Sequence, residues 1–97
     1  MNIEVSFATK HAEPGRPGVA MIGAVDPAGR LWTCLEEDAI GRIRHGVRHW
    51  VWIGDVRIEI VVIPGTALWD EHLGTAGDGS SRRILTALPP VPPRTLH

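Results

Sequence analysis

The chain reads as an α+β domain: a small antiparallel sheet of about four to five strands with one short helix, in β-β-β-α-β-β order, followed by an extended proline-rich tail. Three observations carry this reading. Two runs rich in β-branched and aromatic residues, Val47–Ile53 and Val56–Ile63, flank the dipeptide Gly54-Asp55, the pattern of a two-residue β-hairpin. Upstream, Leu35, Ala39, Ile40 and Ile43 recur at helical spacing and stop at Gly46. The remaining apolar runs are short and punctuated by proline and glycine, as strands between turns are.

The elements follow in order. Ile3–Phe7 alternates apolar and polar residues and is expected as one half-buried strand. Pro14, Gly15, Pro17 and Gly18 make the next stretch a loop. Val19–Val25 is apolar enough for a buried strand, and Asp26-Pro27-Ala28-Gly29 is expected as a turn with proline at its second position. Arg30–Cys34 then returns as the partner strand.

The four apolar helix positions spread over about 140° at 100° per residue, one face of a short helix. Thr33 and Glu36 have the spacing of a capping box, which would satisfy two orphan amides reciprocally. Glu36, Glu37 and Asp38 stand at the positive end of the helix, and Arg42, Arg44 and His45 at the negative end. Gly46 suits the left-handed stop.

In the hairpin, Gly54-Asp55 sets the register. Ile53 faces Val56, Val51 faces Ile58, His49 faces Ile60 and Val47 faces Val62; the opposite face pairs Trp52 with Arg57, Trp50 with Glu59 and Arg48 with Val61. The first face is almost wholly aliphatic and is expected to meet the core. A one-residue slip would bury Arg57 and Glu59, so the register is strongly specified. Leu68–Leu73 is expected as a further edge strand, Thr75–Ser81 as a glycine-rich loop and Arg83–Leu88 as a short apolar element. The expected organisation is a single domain over residues 1–89 and an extended tail over 90–97, because Pro89-Pro90-Val91-Pro92-Pro93 suits neither helix nor central strand.

Composition narrows the function classes. The chain has 97 residues, 43% hydrophobic and 22% charged, enough for one self-supporting core. A net charge of −1 supplies no global field for nucleic acid or anionic membrane. Cys34 is the sole cysteine, so no intramolecular disulfide forms and a reducing compartment is expected. The N-terminus lacks a signal-peptide pattern, and no apolar run has the length of a membrane span. The expectation is a cytoplasmic protein with no membrane partner.

Trp32, Ala39-Ile40, Ile43, Gly46, the apolar hairpin, Leu73-Gly74-Thr75-Ala76-Gly77-Asp78-Gly79 and Leu85-Thr86-Ala87-Leu88-Pro89 occur in an order that resembles a family of small bacterial proteins known as domain of unknown function 3892. The resemblance runs from Gly18 to Pro89. It implies a compact strand-helix-strand domain from bacteria or their phages, and it attaches no reaction. Two departures stand out: Leu35 occupies the place of a helix-capping threonine, and Arg83-Ile84 the place of an asparagine before the closing leucines.

Each candidate chemistry has a plainer competitor. His45 and His49 have helical metal-pair spacing, but Gly46 falls between them and two further ligands are missing nearby; no metal is expected. Asp70-Glu71-His72 offers acid-base groups, yet neighbours in a strand alternate sides, and a solvated edge explains them. Cys34 sits at an apolar position and reads as a small buried hydrophobe. Ser6, Ser80 and Ser81 lack a nucleophile-elbow context, and Gly74, Gly77 and Gly79 do not form a phosphate-binding loop. The expectation is therefore no enzyme and no cofactor.

Two binding readings remain. Trp50 and Trp52, with Arg48 and Arg57, form one strand face that would be an interaction surface for a protein partner or a homodimer if uncovered. A sheet covered on both sides is the favoured expectation for the two indoles. The alternative is a nucleic-acid contact built from Arg42, Arg44, Arg48 and His49 with the indoles as stacking platforms; its plainer competitor is a helix end complemented by cations, with Trp52 stacked on Arg57. Pro89–Arg94 also fits a Pro-x-x-Pro-x-Arg ligand, and a terminal spacer is the simpler reading.

Overall fold

The computed structural model describes residues 2–76 and 84–92. Among these, the strands are β1 Asn2–Val5, β2 Phe7–Thr9, β3 Met21–Val25, β4 Leu31–Leu35, β5 Arg48–Ile53, β6 Val56–Ile63 and β7 His72–Thr75, with helix α1 at Glu36–Arg44 and a 3-10 turn at Leu85–Ala87. The class is α+β as expected, but the strands divide into two sheets. One has the order β1-β5-β6-β7 and the other β2-β3-β4. The first is mixed rather than antiparallel, because β1 runs parallel to β5.

The division originates at Ser6. The expected single strand over Ile3–Phe7 breaks there: Val5 is the last residue paired with β5, and the Ser6 amide donates to the Gly23 carbonyl on β3 at 2.9 Å. The side-chain parity slips at the same place, so Val5 and Ala8 are buried while Phe7 is only half-buried. One segment thereby serves two sheets, a connection the alternating pattern does not reveal.

The β3–β4 hairpin forms as its turn chemistry predicts. Asp26 Oδ1 accepts from the amides of Ala28 and Arg30, each at 2.9 Å, and Gly29 takes the positive φ of 82° that the turn requires. The β5–β6 register also agrees, pairing His49 with Ile60, Trp50 with Glu59, Val51 with Ile58, Trp52 with Arg57 and Ile53 with Val56. The core lies between the sheets and under α1, from Val5, Ala8, Val19, Ile22, Cys34, Ala39, Ile40, Val51, Ile60, Leu73 and Leu85.

Three local expectations change. Thr33 does not cap the helix. Leu35 holds the cap position with no side-chain bond, because Thr33 is committed to β4 opposite Gly23. The last strand begins at His72 rather than Leu68. The Thr66 hydroxyl accepts from the amides of Leu68 and Trp69, both at 3.2 Å, and the Thr66 amide donates to the Trp69 carbonyl at 2.7 Å, so this backbone is spent in a local turn. The start of the tail is tied down: the Ala8 amide donates to the Pro89 carbonyl, and the Val91 amide to Thr9 Oγ1, each at 3.0 Å. Most of the expected glycine-rich loop, together with Arg83, Pro93 and Arg94, lies outside the described residues. No helix of the described residues is long and apolar enough to cross a membrane.

Candidate functional site

The outer face of the four-stranded sheet carries Arg48, Trp50 and Trp52 from β5, and Arg57 and Glu59 from β6. It is not covered as expected. The helix and the second sheet both lie on the aliphatic side, so Trp50 is half-buried by its neighbours alone and Trp52 is 53% exposed.

The ion pairs on this face are internal. Arg48 Nε lies 3.1 Å from Glu59 Oε2, and Arg57 Nη1 lies 3.9 Å from Glu4 Oε1. The two guanidiniums also stack on Trp50, with centroid distances of 5.5 Å for Arg48 and 4.2 Å for Arg57. Arg57 therefore stacks on Trp50 and not on Trp52 as expected. The reason is its carboxylate partner: Glu4 is registered beside Trp50, one row from Trp52. The Trp50 indole donates a long bond of 3.4 Å to Asn2 Oδ1.

Trp52 lacks such cover. The pair beyond it, Ile53 and Val56, lies on the side expected to meet the core, but the hairpin overhangs the end of the core there. Ile53 is 40% exposed and Val56 60%. Apolar side chains from both faces of the ribbon thus converge at one tip, around a Gly54-Asp55 turn whose glycine has φ 59°.

The expected basic cluster is dispersed. His49 is fully buried on the inner face. Its Nδ1 lies 3.3 Å from the Val47 carbonyl, and its Nε2 has no partner. Burial pushes this imidazole below its ordinary value, the Val47 bond opposes that shift, and nearby Arg42 adds to it. Arg44 leaves the cluster to make a bidentate pair with Glu71. His45 turns back to the Gly41 carbonyl at 2.7 Å.

A second feature was not legible in the sequence. Glu36, read as a capping residue, is a buried hub. Its Oε2 accepts from the amides of Val19 at 3.0 Å and Leu73 at 3.1 Å, and its Oε1 meets His11 Nε2 at 2.9 Å. One carboxylate therefore joins the 10–19 loop, the helix start and β7. Gly18 leaves room for this hub: a Cβ there would collide with the Glu36 carboxylate and stand 2.7 Å from His72 Cβ.

Beside this hub lies an open cleft of about 620 Å³ between α1 and the 65–71 segment, with Trp69, Arg16, Glu37 and Asp70 among its walls and the Arg44–Glu71 pair within it. Asp70 and Glu71 line this cleft but His72 does not, and all three border only an adjoining space of about 10 Å³. Glu71 is held by Arg44, and His72 Nδ1 meets the Asp70 carbonyl at 3.1 Å. Cys34 is buried on β4 with its thiol near the Leu35 carbonyl at 3.4 Å. Burial pushes the thiol up, Arg42 lowers it and Asp38 raises it further.

No family model, no curated protein and no solved structure matches the chain.

Proposed function

We propose that this chain is a non-catalytic interaction module, and that its contact surface is the tip and outer face of the β5–β6 hairpin, presented to a partner protein. One observation carries the reading: Trp52, Ile53 and Val56 stand exposed together at the end of a well-registered ribbon. Aromatic and aliphatic side chains grouped in this way are the usual anchors of protein interfaces. Trp50, Arg48 and Arg57 border the patch, each already in contact with its neighbours. The resemblance to the family of unknown function adds no reaction to this reading.

The nucleic-acid alternative has less support. Of the four residues of that reading, Arg44 and Arg48 each face a carboxylate that phosphate would have to displace, His49 cannot reach a ligand from the core, and Arg42 alone is exposed with no ion pair among the described residues.

The test is a photo-crosslinking residue in place of Val56 in the intact chain within its own cells, followed by mass spectrometry of the adducts. A discrete protein adduct that disappears when Trp52→Ser is added supports the reading. Absence of adducts, or adducts indifferent to Trp52, removes it.

A further inference from the structure

Among the described residues the two sheets leave four edges, at β1, β7, β2 and β4. An unpaired edge is a template for another strand unless something blocks it. The β2 edge is closed by Pro89 and Val91, which bond Ala8 and Thr9. The β7 edge is capped by Glu36, which takes the Leu73 amide. The β1 edge carries Glu4, engaged with Arg57. The β4 edge, Leu31-Trp32-Thr33-Cys34-Leu35, has no charge, no proline and no glycine.

The backbone parity of β4 follows from two bonds. The Asp26 amide donates to the Arg30 carbonyl at 2.8 Å, and the Glu36 amide to the Ala20 carbonyl at 3.0 Å. The Arg30 carbonyl, the amides and carbonyls of Trp32 and Cys34, and the Glu36 amide therefore turn toward β3, and the amides and carbonyls of Leu31 and Thr33, with the Leu35 amide, turn outward. The Leu35 carbonyl belongs to the helix it caps. The amides of Leu31, Thr33 and Leu35 and the carbonyls of Leu31 and Thr33 have no partner among the described residues.

We propose that β4 pairs antiparallel with β4 of a second copy about a two-fold axis at Thr33, joining the two three-stranded sheets into one. In this register Thr33 meets Thr33 and Leu31 meets Leu35 of the second copy. The amides of Thr33 and Leu35 in each copy then donate to the carbonyls of Thr33 and Leu31 in the other. Leu35, 46% exposed in the single chain, gains the side chain of Leu31 as cover. Trp32 falls opposite Cys34, extending the buried face.

Charge selects both the partner and the direction. Arg30 precedes the strand, and Glu37 and Asp38 follow it; all three are exposed and make no ion pair among the described residues. An antiparallel two-fold places each Arg30 by the acidic helix start of the other copy, twice over. Parallel pairing would set Arg30 against Arg30. A strand that carries a cation at one end and carboxylates at the other is complementary to itself when reversed.

The experiment is sedimentation equilibrium of the full chain across a wide concentration range. A dimer mass is expected. Arg30→Glu should weaken association by at least about tenfold, with repulsion replacing attraction at two symmetric sites. Combining Arg30→Glu with Glu37→Arg and Asp38→Arg should restore it. Thr33→Pro should abolish the dimer while circular dichroism reports a folded chain, because proline removes only an outward amide. Trp52→Ser should leave the dimer intact, which separates this interface from the hairpin tip. A monomer at every concentration, a dimer indifferent to Arg30→Glu, or a dimer lost in Trp52→Ser and kept in Thr33→Pro overturns the proposal.

Discussion

His11 and Glu36 close a part-buried contact across 25 positions of sequence, with Nε2 at 2.9 Å from Oε1. The other oxygen of the same carboxylate holds the amides of Val19 and Leu73. Removing the carboxylate would leave two buried donors unpaired and free a loop, a helix start and a strand from one another. Glu36→Ala should therefore lower unfolding stability by roughly 3 kcal/mol or more, and Glu36→Gln by less, since one acceptor oxygen survives. Urea denaturation of both variants checks the order.

Gly18 serves the same hub. Its φ of +81° disfavours any side chain, and a Cβ would strike the Glu36 carboxylate and His72. Gly18→Ala should cost more than about 2 kcal/mol, the sum of a left-handed residue and a displaced buried acid. Gly15→Ala, also at positive φ but with nothing within 4 Å of its Cβ, should cost only the conformational part. Thermal melts of the pair separate steric from backbone effects.

His49 gives stability a dependence on acid. Burial keeps its imidazole below the ordinary value of 6.5 in the folded chain. As pH falls through that value the unfolded chain takes up a proton and the folded chain does not, so the unfolded state gains. Stability should fall from about pH 6.5 downward, until the lowered folded value is passed. His49→Leu should flatten this part of the profile. At neutral pH it should be neutral or stabilising, because it replaces a buried ring whose Nε2 has no partner. Denaturation midpoints of both proteins across that range give the comparison.

The two indoles should behave differently despite their identical strand context. Trp52→Ser should cost less than about 1 kcal/mol, since Trp52 is 53% exposed. Trp50→Ala should cost about 1–2 kcal/mol through lost packing and the lost Arg57 stack. Acrylamide should quench Trp52 readily, so Trp52→Phe should remove the most accessible component of the fluorescence. Equal costs for the two substitutions would contradict this division of the face.

Elements with local causes could be read from neighbouring residues alone. Gly54-Asp55 with alternating β-branched arms specifies a register, since any slip would bury Arg57 and Glu59; Asp26-Pro27 and Gly29 specify the first hairpin; Gly46, at φ 91°, ends the helix. Whatever depends on which surfaces meet emerged only in the packed chain. Alternation along Ile3–Phe7 announces a strand but not that Ser6 hands it from one sheet to another. A glutamate three residues after a threonine suits a capping box, yet the buried amides of Val19 and Leu73, with half-buried His11, take that carboxylate instead. The exposure of Trp52, Ile53 and Val56 follows from where the core stops, a distance in space that no residue in the hairpin encodes. Local bonds are written in neighbouring side chains; burial is a property of the packed chain.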